Sequence, residues 1–570
     1  MTARNCAKPG IMAPLLVFCC LALSLAAATT SEKPHIVYFL VDDQGYNDAG
    51  YNSISGEGQD GYMNIFTPNM DAVAGESIVL TNYYTESLCT PARASLLSGK
   101  NPIHNGMGVA ALYQNSPYGL PLEHKLLPEH LKSLGYSTHM VGKWHLGYFN
   151  RQYLPTARGF DTFLGYFNGE QEYYGKSQTW HKHTFYDFNL NEHPIKDQGI
   201  LGMYSLDQYD KVAKQIIENH DPSGPLFLYY ATQAIHSPFS LPPSKMLSKE
   251  QAQYANNIRD LVSDDRGLLA ATAAAMDYSF ANLMQYLKDA GIYNNTIVIV
   301  ASDNGGCSND GGDNYPLRGQ KNTLFEGGLR VNAFVHSPLL PEAARGATYD
   351  CMVHAVDWLP TLVEGALGVA DAGVLGEIDG VSHWDALVAA GEDGGESSCY
   401  RTEMMHNIVV ATTDAGADTL QAALRLGALK LVYGQAELGW WSNQRFSAEG
   451  CSLGDSVFEP YGYVFDIEAD PEERHNLIDL VEDETLARLW SRLDEHFGTM
   501  AAPAYRVSDP KANPSFIKSD FFVGPWVADE DLVDPRDAYM EAMHNNASLD
   551  GIDGHRHQHP DMDSAEGPTV

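Results

Sequence analysis

Four oxygen-bearing side chains stand at the ends of two apolar runs. HIVYFLVDD (His35 to Asp43) closes on Asp42 and Asp43, and TIVIVASDNGG (Thr296 to Gly306) carries Asp303 and Asn304. Three carboxylates and an amide oxygen make an all-oxygen, anionic set, which suits a hard cation such as Ca2+ or Mg2+ rather than Zn2+. Either pair alone reads as a turn or helix cap; two such pairs on two core runs shift the reading toward metal. Adjacent side chains on a strand point to opposite faces. Asp42 and Asp43 therefore reach one ion only if the strand ends there, and Gln44-Gly45 permits that turn. Basic residues are available as well. Lys143 and His145 lie two apart in MVGKWHLG, on the same side if the chain is extended. His236 follows the run PLFLYYAT, Lys321 lies in the glycine-rich LRGQKNTLFEGGLR, and Arg93 lies four residues after Cys89 in SLCTPARASLLSGK. A lone lysine or histidine is more often solvated or part of a core; together these form a basic anion pocket.

These residues need elements that bring them together. PLFLYYAT has the same form as the two runs that end in carboxylates, and continuous apolar strands of this kind sit in a sheet covered on both faces. Helical patterns lie between them, at Leu126 to Gly135 and at Ala273 to Gly291, the second stopping at a glycine. Strands alternating with helices predict an α/β sheet, which places its sites at the carboxyl ends of its strands. After about residue 395 the texture changes to short strands joined by turns, Ala422 to Gly434 and Tyr463 to Leu477, then a helix from Glu482 to Phe497. The predicted organisation is a signal peptide at 1–28, a catalytic domain at 29–395, a smaller α+β domain at 396–527 and an acidic, His-dotted disordered tail at 528–570.

The ends and the composition narrow the class. Arg4 and Lys8 precede an apolar run from Ile11 to Leu25 and the small residues Ala26 to Ala28, as in a secretory signal. No other run is long and apolar enough to span a membrane, so a secreted or endomembrane protein is expected. Cys89, Cys307, Cys351, Cys399 and Cys451 remain after that segment. If Cys89 is the unpaired one, the other four allow three pairings. Sequons stand at Asn294 and Asn546. A net charge of −37 over 570 residues argues against a nucleic-acid partner.

The stretch Cys89-Thr90-Pro91-Ala92-Arg93, continuing to Ser98-Gly99-Lys100, resembles the type I sulfatase signature. DDQGYND, TPNMD, GKWHLG, RGFD, DNGG and PLRGQK follow in the order of that family, and the resemblance runs from His35 to Trp526. It is nearest to the arylsulfatase B group, the N-acetylgalactosamine-4-sulfatases. The resemblance implies an alkaline phosphatase-like fold, with a large, mixed but mostly parallel sheet flanked by helices and a smaller C-terminal α+β domain. It implies that a formylglycine-generating enzyme converts Cys89 to formylglycine (3-oxoalanine), whose hydrated form attacks sulfur and carries the sulfate covalently. It also implies one Ca2+ per chain held by Asp42, Asp43, Asp303 and Asn304, with an oxygen of residue 89 as a further ligand. Lys143, Lys321 and His236 would bind the sulfate, and His236 or Lys321 would protonate the leaving oxygen. His145 would take a proton from residue 89 as sulfate leaves, and Arg93 would fix the formyl group and hold Asp42 or Asp43. The implied substrates are sulfated carbohydrates and small aryl sulfates. Two rivals remain: a phosphate or phosphonate ester hydrolase of the same superfamily, disfavoured by the single oxygen-rich site, and a decayed glycan-binding protein, disfavoured because no expected ligand is missing. Val109 to Pro121 and Val507 to Phe516 lack the cysteines that arylsulfatase B relatives carry there, so the loops near the pocket are expected to differ.

Overall fold

The computed structural model describes residues 33–53, 65–180, 183–196, 199–261, 263–369, 373–391, 399–412, 418–435 and 462–532. The expected signal peptide, Cys451, the Asn546 sequon and the tail from 533 lie outside the described residues.

Ten strands form one sheet: β1 (His35–Val41), β2 (Ile78–Leu80), β3 (Ser137–Lys143), β4 (Thr162–Tyr166), β5 (Asn189–Leu190), β6 (His193–Pro194), β7 (Leu226–Ala231), β8 (Thr296–Ser302), β9 (Ala333–His336) and β10 (Thr348–Tyr349). Their spatial order is β10-β2-β9-β8-β1-β7-β3-β4-β5-β6. The five central strands, β8 to β4, all run parallel. β9 opposes both β8 and β2, and β5 and β6 add antiparallel pairs at the other edge. The sheet is thus mixed and mostly parallel at its centre, as the resemblance implies.

The unbroken apolar character of β1 follows from cover on both faces. Ile36, Tyr38 and Leu40 share a core with Ala94 and Leu97 of helix α1 (Cys89–Ser98) and with Leu127 and Leu131 of α2 (Leu127–Ser133). Val37, Phe39 and Val41 pack on the other side, with Tyr209 and Ile217 of α3 (Ser205–Asn219) and Met276 and Phe280 of α4 (Asp264–Asp289). The helix α4 begins nine residues before the expected Ala273. Ser263 caps it, its hydroxyl accepting from the Arg266 N–H at 3.1 Å, and Asp264 and Asp265 suit the positive end of the helix dipole.

A short helix, α5 (Glu326–Leu329), follows the segment that carries Lys321. Against it lies a second sheet, antiparallel, of β11 (Glu403–Thr412), β12 (Asp418–Leu426), β13 (Leu429–Tyr433) and β14 (Gly462–Asp466). One face of it (Met404, Ala423, Val432, Phe465) packs on Tyr84, Leu324, Phe325 and Leu329. The other (Leu424, Leu431, Val464) is covered by Leu489 and Leu493 of α6 (Asp483–Gly498). The C-terminal sheet is therefore a layer pressed against the Lys321 segment. Cys351 and Cys399 form a disulfide, Cys307 is disulfide-bonded as well, and Cys89 is free and buried. No helix among the described residues is long and apolar enough to cross a membrane.

Candidate active site

β1 stops at Val41, and Asp43 adopts a left-handed backbone with φ 60°. That reversal turns both carboxylates toward one pocket, which an unbroken strand forbids. The Asp42 N–H is taken by the Ala234 carbonyl (2.9 Å), so the strand end is pinned to the loop after β7. Asp303 and Asn304 stand one strand away, at the end of β8. The Asp303 N–H donates to the Val41 carbonyl (2.9 Å), and the Asp43 N–H donates to Asp303 Oδ1 (3.1 Å). The two loops touch backbone to backbone: a Cβ on Gly306 would lie 2.8 Å from Gly45 Cα, so only glycine fits there.

Basic side chains converge on these acids. Lys143 Nζ bonds both oxygens of Asp42 (2.9 and 2.8 Å). Lys321 Nζ bonds Asp43 Oδ2 (2.7 Å) and lies 3.1 Å from His236 Nε2. The Arg93 fork grips Asp303 Oδ2 (2.8 and 3.1 Å), approaches Asp42 Oδ1 (3.4 Å) and donates to the Lys143 carbonyl. Arg93 thus holds Asp303 and Asp42, not Asp43. Burial alone would raise the Asp42 carboxyl, but Lys143, His236, Arg93 and Lys321 outweigh it and hold it well below the usual range. Burial also works against Asp43, and Lys321 and His236 bring it below its ordinary value. Asp303 goes the other way, raised by burial and by the neighbouring Asp42 charge.

Cys89 opens α1, so the stretch is helical from its cysteine onward. Proline at the third helical position costs nothing, since that N–H has no intrahelical partner. The thiol therefore sits at the positive end of the α1 dipole, with Sγ 3.7 Å from Asp42 Oδ1 and 3.8 Å from Asp43 Oδ1. Burial, then the Asp303 charge, push that thiol far above its ordinary pKa, so it is no thiolate here.

Lys143 and His145 do not lie on an extended chain. Lys143 ends β3, and His145 has a left-handed φ of 59°. His145 Nε2 faces the Leu112 carbonyl at 2.9 Å; a carbonyl only accepts, so the proton is on Nε2. Its Nδ1 is buried without a hydrogen-bond partner and carries the free lone pair. Burial, then Lys143, hold His145 well below its usual pKa, which keeps that lone pair unprotonated. His236 has the opposite tautomer, its Nδ1 donating to the Ser237 carbonyl, so Nε2 presents an acceptor to Lys321.

The family model described as Sulfatase matches residues 34–369, more than half of the chain. The chain belongs to the sulfatase family. Mouse arylsulfatase J is 35% identical over 528 residues, covering 89% of this chain and 82% of that protein. Mouse N-acetylgalactosamine-6-sulfatase is 31% identical over 338 residues, covering 56% of this chain and 60% of that enzyme. Among solved structures, Ps i-CgsB in complex with k-i-k-neocarrahexaose has the same fold (TM-score 0.66, 22% identity, 86% of this chain and 98% of that one). This sulfatase hydrolyses sulfate esters, and its family uses formylglycine and a divalent metal. The relatives carry arylsulfatase and 6-sulfatase names, so the expected tie to the 4-sulfatase group stays a narrower reading.

The residues present fit a divalent cation. Asp42, Asp43, Cys89 and His236 offer ligand atoms all within 4.8 Å of one another. Asp303 lies outside that group; Arg93 bonds its Oδ2 and the Asp43 amide its Oδ1. Asn304 Nδ2 donates to Asp43 Oδ1 (2.7 Å), while Asn304 Oδ1 is buried with no partner. An orphaned amide oxygen among three buried carboxylates is what an oxygen-seeking cation would satisfy. Residues with no signal of their own in the sequence also build this sulfatase site. Thr85 Oγ1 donates to the Asp303 carbonyl (2.9 Å), and Gly169 packs against the His145 ring, where a Cβ would come within 2.7 Å of Cε1.

Proposed function

We propose that this sulfatase releases inorganic sulfate from sulfated carbohydrates, and from small aryl sulfates in an assay, with residue 89 as formylglycine and one Ca2+ per chain. The observation that carries the reading is the Cys89 side chain, under 4 Å from Asp42 and Asp43 at the first turn of α1. Asp42, Asp43, Asp303 and Asn304 would hold the cation, hard oxygen donors suiting Ca2+ better than the imidazole of His236 does. When bound, the cation, together with the formyl group, supplies a nucleophile of lowered pKa and a counter-charge for sulfate.

The chain's own residues do the rest. Lys143 and Lys321 give sulfate its charge-assisted hydrogen bonds as charge shifts to the leaving oxygen. Lys321 and His236 hold the proton that this oxygen receives, Nζ and Nε2 lying 3.1 Å apart. His145 takes a proton on Nδ1 in the release of sulfate. Arg93 positions Asp303 by converging two N–H groups on Oδ2 while a third reaches the Lys143 carbonyl, a geometry that lysine cannot copy. Three carboxylates and the basic Arg93, Lys143 and Lys321 cancel before a dication adds two charges. An anionic ester then meets a positive centre inside a chain of net charge −37.

The N-acetylgalactosamine-6-sulfatase relative supports a carbohydrate substrate, and the arylsulfatase B resemblance adds a 4-sulfated N-acetylgalactosamine to the candidates. A signal peptide at 1–28 would route the chain to a secreted or endomembrane compartment, where a formylglycine-generating enzyme is its maturation partner. The test incubates purified protein with 4-nitrophenyl sulfate and 4-nitrophenyl phosphate and analyses the residue-89 peptide by mass spectrometry. The sulfate ester is cleaved, the peptide carries an aldehyde, and Cys89→Ala folds but is inert. Dominant phosphatase turnover, or a free thiol at position 89 in fully active enzyme, refutes the reading.

A further inference from the structure

The wall of the pocket reaches the protein surface in a single residue step. Leu112 is buried; its N–H donates to Thr90 Oγ1 (3.1 Å) and its carbonyl accepts from His145 Nε2 (2.9 Å). Tyr113 is the next residue, and it is 50% exposed. Consecutive Cα atoms are about 3.8 Å apart, so this ring emerges beside the backbone that holds His145. It emerges at the carboxyl end of β3, which His145 follows by two residues, and open α/β sheets receive their ligands at that end.

A second exposed ring stands on a segment bonded to this one. Tyr505 is 42% exposed and lies 5.6 Å, ring centre to ring centre, from the buried Tyr118 at an angle of 63°. Backbone bonds tie the two segments together: Ala504 N–H to the Gly106 carbonyl (2.8 Å) and Asp509 N–H to the Asn115 carbonyl (2.9 Å). The Tyr113 backbone is fixed by a turn, with Ser116 N–H on the Tyr113 carbonyl (3.0 Å) and Tyr113 N–H on Ser116 Oγ (2.9 Å). The exposed Phe and Tyr side chains among the described residues are Phe66, Tyr113, Tyr400, Tyr505 and Phe521, and two of the five stand on these two joined segments. Exposed apolar surface next to a polar pocket marks a place for a ligand.

We propose that Tyr113 and Tyr505 form a platform on which the sugar ring next to the sulfated one stacks. The inference rests on the sulfated-carbohydrate reading above. A pyranose offers an apolar C–H face to an aromatic ring, and a tyrosine adds a hydroxyl at the ring's end. An uncharged platform also holds a polyanionic saccharide without adding repulsion to an acidic protein.

The test measures kcat/KM for 4-nitrophenyl sulfate and for a panel of chondroitin 4-sulfate, chondroitin 6-sulfate and ι-carrageenan oligosaccharides. Tyr113→Ala and Tyr505→Ala are compared with Tyr113→Phe, and thermal midpoints check folding. In the alanine variants the ratio of kcat/KM for the best saccharide to that for 4-nitrophenyl sulfate falls roughly tenfold through KM, and Tyr113→Phe keeps it. An unchanged ratio overturns the platform and leaves the sulfatase reading standing. Wild-type enzyme that cleaves 4-nitrophenyl sulfate but no saccharide overturns the carbohydrate reading and the platform with it.

Discussion

Lys430 Nζ, on β13 of the C-terminal sheet, lies 2.8 Å from Glu326 Oε1 on α5, and both side chains are fully buried. The same ammonium bonds Glu473 Oε1 at 2.9 Å, and Glu473 Oε2 accepts the N–H of Glu326 (2.7 Å). Glu326 Oε2 accepts from Tyr84 (2.7 Å), the neighbour of the Thr85 that holds Asp303. The C-terminal sheet thus braces both the Lys321 segment and the Asp303 loop from behind.

Replacing Lys430 by methionine leaves two buried carboxylates with no ammonium. Stability should fall by about 3–5 kcal/mol, measured as a lower denaturant midpoint. In the folded fraction, kcat for 4-nitrophenyl sulfate should fall as well. A stable variant with full activity would show the brace to be dispensable.

Lys430 is shared between two carboxylates, and Arg330 lies nearer Glu326, 3.9 Å from its Oε2. Burial, opposed by Lys430 and aided by the Glu326 charge, raises Glu473 from 4.5 to about 7. The native state therefore binds a proton that the unfolded chain has released between these values. Native stability from this group is greatest below pH 4.5 and declines as pH rises to about 7. Glu473→Gln removes the effect. Unfolding curves at pH 4.5 and 7.5 should show wild type losing up to about 3 kcal/mol relative to the variant; parallel curves would contradict it.

Removing divalent metal with a chelator should lower the thermal midpoint, and adding Ca2+ should restore it. Ligand held at 100 times its Kd stabilises by about 2.7 kcal/mol. Asp42→Asn and Asp303→Asn should make the midpoint insensitive to chelator. Wild-type protein with an unmoved midpoint would argue against a cation at this set.

Gly169→Ala should displace the His145 ring, since its Cβ falls 2.7 Å from Cε1 and 2.8 Å from Nε2. The expected result is a fall in kcat of about 10–100-fold with little change in KM or melting temperature. Unchanged kcat would mean that the orientation of His145 is not limiting.

The oxygen set is legible because an unbroken β-type apolar run must end at a sheet edge, and the residue types there are polar. The turn at Asp43 is legible through the need to bring two adjacent acids to one side. The position of His145 is not: the period of an extended chain puts it beside Lys143, whereas the chain leaves the strand and turns left-handed. The start of α1 is not legible either: Leu88 precedes it and no side chain caps it, so the usual Ser, Thr, Asp or Asn signal is absent. The brace is invisible for a different reason. Lys430 lies 104 residues from Glu326 and 43 from Glu473, and a charged letter says nothing about which distant group neutralises it. Gly169 is one of 51 glycines, and only its packing on an imidazole sets it apart.

Cys89 is 3% exposed and opens a helix whose ten residues are all buried. No second protein can close its own catalytic cleft around a side chain in that place. Any enzymatic change to Cys89 thus has a deadline: it happens while the chain is still open, or not at all. Protein made in a host that cannot perform the conversion would emerge fully folded, stable and permanently inert, and later exposure to the maturation enzyme would not revive it.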